Sequence, residues 1–284
     1  YPIPDQPPNS PPSTSNNSGL NFWDCTKINI KKTVIRNYNS FTAAGGAQFV
    51  WFENSEATIR DQSQVLLEEV QFIDNTSENG PGGLALINPR QVTLKGATFY
   101  RNISEKNSGG GLLFTCENPK SSPCQLKLDP TSENSFSKNQ AGKNGGGICW
   151  TDMPPASGFD QTKFVENTAF YGPNISGIPH HLQLLNKDDG LSPEGPIFDQ
   201  ILTDFVSGGK LEEDFKFAVV DKYDQIVRSI GTENTASVRI VSADSDEHLV
   251  VTNNTRQAVE GIFNFKMMQI SATPGDTISL GLFS

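Results

Sequence analysis

A short phrase repeated along the middle of the chain constrains its fold more than any other feature. A large apolar residue is followed by two variable positions and an Asn, then, after a gap, by a glycine pair and an aliphatic residue. Phe72 to Asn75 precedes Gly82-Gly83-Leu84, Phe99 to Asn102 precedes Gly110-Gly111-Leu112, and Phe136 to Asn139 precedes Gly146-Gly147-Ile148. Two looser copies flank these: Val34 to Asn37 with Gly45-Gly46-Ala47, and Phe164 to Asn167 with Ser176-Gly177-Ile178. The leading residues lie 38, 27, 37 and 28 positions apart, so two intervals are near 27 and two carry an insertion. A unit of this length cannot bury its own apolar face and must stack on its copies.

The segments between glycines and the next Phe, such as Gln91-Val92-Thr93-Leu94, alternate in short runs with β-branched residues, and no long helical stripe competes. The expected architecture is therefore a short parallel β-helix of about five coils. Stacked coils bring equivalent residues roughly 4.8 Å apart. Phe72, Phe99, Phe136 and Phe164 are expected to form an internal stack, and Asn75, Asn102, Asn139 and Asn167 a ladder of amides. The glycine pairs are expected to take positive φ at a corner and to admit the next coil closely.

The phrase F-x-x-N with a following G-G-[ALI] resembles the repeat of the chlamydial polymorphic outer-membrane proteins, also found in large extracellular proteins of single-celled eukaryotes. The resemblance covers residues 34–178. It implies a right-handed parallel β-helix on a cell surface or in a secreted assembly, with an adhesive or structural role.

From about residue 210 the pattern changes. Phe215 to Val219, Ser237 to Val241 and Thr277 to Leu282 alternate apolar and polar positions, and turn residues recur every eight to twelve positions. This predicts seven short antiparallel strands in a sandwich. Asp221-Lys222-Tyr223-Asp224-Gln225-Ile226-Val227, Gly261-Ile262-Phe263 and Pro274-Gly275-Asp276 resemble bacterial immunoglobulin-like modules, which implies a spacer or adhesion unit. The expected fold is all-β in three parts: a Pro/Ser-rich arm over residues 1–24, the β-helix with a capping and linker segment over 25–205, and an immunoglobulin-like sandwich over 206–284.

The arm carries prolines at 2, 4, 7, 8, 11 and 12, which favours extended polyproline II over a packed core. Tyr1, Pro2, Ile3 and Pro4 are its candidate anchors on another copy, making a homo-oligomer or filament the expected partner state. A start at Tyr1 suggests a processed terminus or a piece of a longer protein. The formal charge is −10, from 22 basic and 32 acidic residues without a basic cluster, which argues against nucleic acid and anionic membrane as partners. No run of 18 apolar residues is present, so membrane insertion is not expected.

Five Asn-x-Ser/Thr sequons, at Asn16, Asn75, Asn102, Asn174 and Asn253, predict covalent glycans on an extracellular protein. Asn75 and Asn102 are also ladder residues, so either the ladder faces outward there or those two sequons are silent. Four cysteines allow three pairings. Proximity favours Cys116 with Cys124 at the base of an insertion, leaving Cys25 with Cys149. Metal binding lacks the C-x-x-C spacing and His partners it needs, and adjacent His180 and His181 point apart on an extended chain. No cofactor and no catalytic residue is expected.

Three function classes remain: a structural subunit, an adhesin or carbohydrate-binding protein presenting aromatics such as Trp23, Trp51 or Trp150, and a β-helix polysaccharide lyase or hydrolase. The last needs converging carboxylates. Asp61, Asp74, Asp129, Asp152 and Asp160 hold different phases in the repeat. The structural subunit is the expected function.

Overall fold

A computed structural model describes residues 18–52, 62–117, 123–185, 207–210, 215–243, 250–273 and 278–283. The chain divides into two compact units, Tyr1–Gly177 and Ile178–Ser284. Both are built of β-strands, with no helix among the described residues.

The first unit consists of four parallel sheets, each visited once per circuit of the chain. Sheet I contains Leu20–Trp23, Ala47–Val50, Leu84–Ile87, Leu112–Thr115, Ile148–Thr151 and Ile175–Ser176 in sequence order. Sheet II contains Lys27–Lys31, Gln64–Glu68, Gln91–Lys95 and Leu126–Leu128. Sheet III contains Val34–Arg36, Gln71–Ile73, Thr98–Tyr100, Ser135–Ser137 and Lys163–Val165. Sheet IV contains Asn39–Ser40, Thr76–Ser77, Ile103–Ser104, Gln140–Asn144 and Thr168–Tyr171. Leu20–Trp23 pairs with Ala47–Val50, so the stack begins inside the segment expected to be an arm. Both long intervals place their extra residues between sheets I and II, where residues 53–61 and 118–122 lie outside the described set.

Equivalent side chains meet in the core. The rings of Phe72, Phe99 and Phe136 stack at centroid distances of 4.8 and 4.4 Å, nearly parallel, and Phe164 follows at 5.5 Å. These spacings follow the strand separation of about 4.8 Å. Beside this stack each Asn amide donates to the next Asn in line. Asn75 Nδ2 lies 2.9 Å from Asn102 Oδ1, Asn102 Nδ2 2.9 Å from Asn139 Oδ1, and Asn139 Nδ2 3.0 Å from Asn167 Oδ1. The second proton of each amide reaches a main-chain carbonyl of the preceding circuit: Ile35, Phe72, Phe99 and Phe136 in turn. Each of the oxygens of Asn102, Asn139 and Asn167 also accepts a main-chain N–H. The ladder therefore meets the full hydrogen-bonding demand of a buried amide.

Register corrects the two outer copies of the phrase. Ile35, not Val34, pairs with Phe72, and Val34 is exposed. The ladder position of that circuit is then Tyr38, whose N–H donates to Asn75 Oδ1 at 3.2 Å. Asn37 sits one residue earlier, with φ 59°, equivalent to Asp74, Arg101, Lys138 and Glu166, all between 52° and 54°. A left-handed residue turns the chain from sheet III to sheet IV in every circuit, a conformation that costs a non-glycine about 1 kcal/mol. At the other end, Ile148 pairs with Ile175, so Pro173-Asn174 occupies the glycine-pair position rather than Ser176-Gly177.

The glycine pairs themselves do not take positive φ. That conformation falls on the preceding Gly109, Gly145 and Gly172. What the pairs supply is space, since a Cβ on Gly82 would press into the Gly110 carbonyl, one on Gly110 into Gly146, and one on Gly146 into Pro173. Among the described residues no further circuit stacks on Pro173. Gly177 serves another neighbour, because a Cβ there would strike the Trp150 indole.

The second unit is antiparallel. Pro179–Leu184, expected to be cap and linker, pairs with Phe215–Asp221, which pairs with Ile262–Phe265. Thr255–Gln257, Thr235–Ala243 and Ile278–Phe283 form a second sheet, and Val250–Thr252 pairs with Gln269–Ser271. Ala218, Val220, Phe263, Phe265 and Ile270 are buried. The Asp-x-Tyr-x-Gln phrase is a turn: buried Asp221 accepts from the N–H groups of Tyr223 and Gln225 at 2.8 and 3.0 Å.

Candidate functional site

Alternation sends Ile28, Val65 and Val92 into the stack and turns their neighbours outward, so the outer face of sheet II is an ordered array. Strand register aligns Lys27, Gln64 and Gln91 in one row, Asn29, Leu66, Thr93 and Lys127 in the next, and Lys31, Glu68 and Lys95 in a third. Lys27, Gln64 and Gln91 of the first row and Asn29, Leu66 and Thr93 of the second line a groove of about 310 Å³, and Lys127 stands on the next strand beside Thr93. In the third row Glu68 binds both Lys31 at 2.7 Å and Lys95 at 2.8 Å. Hydrogen bonds from these two ammonium groups hold the Glu68 carboxyl at about 2. Asp129, just past this row, accepts the N–H and hydroxyl of Thr131, which lowers its pKa. The groove is thus framed by fixed charges, while Lys27 and Lys127 are exposed and have no ion-pair partner among the described residues.

A second feature is the start of the stack. Lys27–Lys31, Val34–Arg36 and Asn39–Ser40 are edge strands, and Val34, Tyr38 and Phe41 are exposed there. Trp23, 58% exposed, sets its ring 6.4 Å from that of exposed Phe52. Trp51 and Trp150 are buried, and Trp51 donates its indole N–H to the Cys25 carbonyl. Tyr1, Pro2, Ile3 and Pro4 lie outside the described residues.

Cys116 and Cys124 form a disulfide, with Cα atoms 5.9 Å apart. Cys25 and Cys149 are free thiols, which corrects the second pairing. Cys25 follows the first strand of sheet I and Cys149 lies on the strand four places away, roughly 19 Å at the strand spacing, whereas a disulfide needs Cα atoms within about 7 Å. Burial pushes the Cys149 thiol pKa up and keeps it protonated at neutral pH.

The sequons divide by orientation. Asn75 and Asn102 are fully buried with both amide protons engaged, so neither can carry a sugar in the folded protein. Their third residues, Ser77 and Ser104, face the same interior and donate to the carbonyls of Ala43 and Gly80. Two inward ladders spaced two residues apart thus write N-x-S without any bearing on glycosylation. Where Ala141 replaces Ser the motif disappears. Asn174 and Asn253 are exposed. The oxygen of Asn174 accepts from Asn167 Nδ2 and closes the ladder. Asn253, with φ 53°, occupies a turn between two strands. Asn16 lies outside the described residues.

His180 is exposed and His181 half-buried, with ring nitrogens 3.0 Å apart, and His248 lies outside the described residues. No group of three or more metal-ligating side chains converges among the described residues. The groove was not anticipated from the sequence; the outward Lys and Gln positions of successive circuits were its only trace. No family model, curated protein or solved structure matches this chain.

Proposed function

We propose that this chain is a non-catalytic extracellular structural protein, a glycosylated subunit of a surface or secreted fibrous assembly. In this reading the stacked unit is a short right-handed parallel β-helix of the polymorphic outer-membrane-protein repeat type, and the second unit is an immunoglobulin-like sandwich that spaces it.

The observation that carries the reading is the open first circuit. Among the described residues its strands keep one unpaired edge each, and Val34, Tyr38 and Phe41 stand exposed beside them. Unpaired edges and exposed apolar side chains are surfaces that proteins use for association or must cover. Residues 1–17 immediately precede Ser18 in the sequence, next to the first strand of this circuit. Extended by its prolines, the arm engages a neighbouring copy, and a contact between unlike surfaces repeats without closing into a ring. The carboxylates support a non-catalytic role: Asp74 sits beyond a strand of sheet III, Asp129 beyond sheet II and Asp152 beyond sheet I. Asp61 lies outside the described residues.

Sedimentation velocity and electron microscopy of the full chain and of a variant lacking residues 1–17 test the proposal. The full chain is expected to form filaments or higher oligomers, and the deletion to leave a folded monomer by circular dichroism. An association state unchanged by the deletion overturns it.

A further inference from the structure

The outer face of sheet II differs in charge from the protein that carries it. Among the described residues, Lys27, Lys31, Lys95 and Lys127 on this face meet the acidic Glu68 and Asp129, with Glu69 at its margin, although the whole chain is at −10. Glu68 is shared between Lys31 and Lys95, which leaves Lys27, lining the groove, and Lys127, on the strand beyond Thr93, to meet an anion. Between them lie Gln64, Gln91 and Thr93, donors and acceptors of the kind that hydroxyl groups match, around the half-buried Leu66. The groove crosses three strands and Lys127 stands on a fourth, so the face spans three spacings, roughly 14 Å, and fits a stretch of an extended chain crossing successive strands better than it fits a single small ion.

We propose that this face binds an acidic polysaccharide laid across the strands of sheet II. Lys27 and Lys127 pair with its anionic groups, Gln64, Gln91 and Thr93 bond its hydroxyls, and Leu66 meets the apolar face of a sugar ring. The chemistry separates this ligand from its rivals. A single-stranded nucleic acid requires aromatic platforms for its bases, and the described residues lining the groove include none. An apolar peptide would meet only Leu66 at the centre of the face. An extended acidic peptide adds most readily to a sheet edge, where main-chain groups are unpaired, and the groove lies on a face. The proposal is independent of assembly, since a chain that never associates still presents the same groove.

Isothermal titration of the full chain with polygalacturonate and with chondroitin sulfate tests it, the two arms separating carboxylate from sulfate as the anion. Neutral dextran and poly-glutamate serve as controls. Binding of at least one acidic glycan is expected, weakening as salt rises. The double variant Lys27→Glu/Lys127→Glu is expected to weaken it by tenfold or more, as charge reversal does at a complementary contact. Lys143→Glu, on sheet IV, leaves it unchanged. Gln91→Ala/Thr93→Ala keeps the charge and is expected to weaken glycan binding alone, which distinguishes a built site from simple attraction and covers the case in which the charge-reversed variant misfolds. Failure to bind either glycan, equal binding of poly-glutamate, or full affinity in Gln91→Ala/Thr93→Ala overturns the assignment.

Discussion

The two units handle buried polar groups in different ways. In the stacked unit Asn75, Asn102, Asn139 and Asn167 lie in one line, and each amide depends on the circuit before it and the circuit after it. In the second unit Asp221 is equally buried, and it accepts from Tyr223 and Gln225 across a turn within residues 221–225. A repeated fold reuses one solution at every level, so an error at one level reaches its neighbours. A local turn confines the error.

The sharpest break of this comparison is Asn102→Leu against Asp221→Ala. Loss of the Asn102 amide strands the Asn75 N–H, an Asn75 amide proton, the Phe72 carbonyl and part of the Asn139 oxygen. With buried unpaired groups costing about 1 to 3 kcal/mol each, a loss of about 4 kcal/mol or more is expected. Asp221→Ala strands the Tyr223 and Gln225 N–H groups and the Gln225 amide, part-buried donors of one turn, for a loss of about 2 kcal/mol. Urea unfolding measures both. Hydrogen exchange should quicken in the circuits above and below Asn102, and only locally around Asp221. Equal losses, or exchange confined to one circuit in Asn102→Leu, would break the distinction.

A smaller effect separates the middle of the stack from its last circuit. Gly110→Ala forces a Cβ against the Gly146 carbonyl and should cost about 2 kcal/mol, as overpacking does. At Pro173, which occupies the same position where the stack ends, substitution to Ala should stay within about 0.5 kcal/mol. Thermal melts of the two variants give the ordering, and comparable melting temperatures would show that stacking does not impose the glycine.

The smallest effect is electrostatic. Glu68 links three strands of sheet II, whereas Glu260 in the second unit pairs with Arg228 alone at 2.9 Å. Because Lys31 and Lys95 hold the folded Glu68 pKa at about 2, below its unfolded value, its stabilisation is complete above the ordinary carboxylate range and is lost as pH falls toward 2. The melting-temperature gap between the protein and Glu68→Gln should therefore be open at pH 7 and close near pH 2. At pH 7 it should exceed the gap for Glu260→Gln. A gap that persists at pH 2 would remove the ion pairs as its cause.

The sequence by itself determined the repeat, its period and the identity of the stacking residues, because each circuit must solve the same packing problem at a spacing of about 4.8 Å. The Phe stack and the Asn ladder are found at the positions the middle copies predict. Only the tertiary structure decided the ends. Terminal circuits lack one neighbour, and the constraint that writes the phrase lapses there: Tyr38 stands where the ladder Asn would be, and Pro173-Asn174 where the glycines would be. In both places a nearby decoy, Asn37 or Ser176-Gly177, matches the pattern without holding the position. Which asparagines face inward, and which cysteines come within reach, depend likewise on the register of whole circuits. That register is a property of strands paired 27 or 37 residues apart, and no local stretch of sequence encodes it.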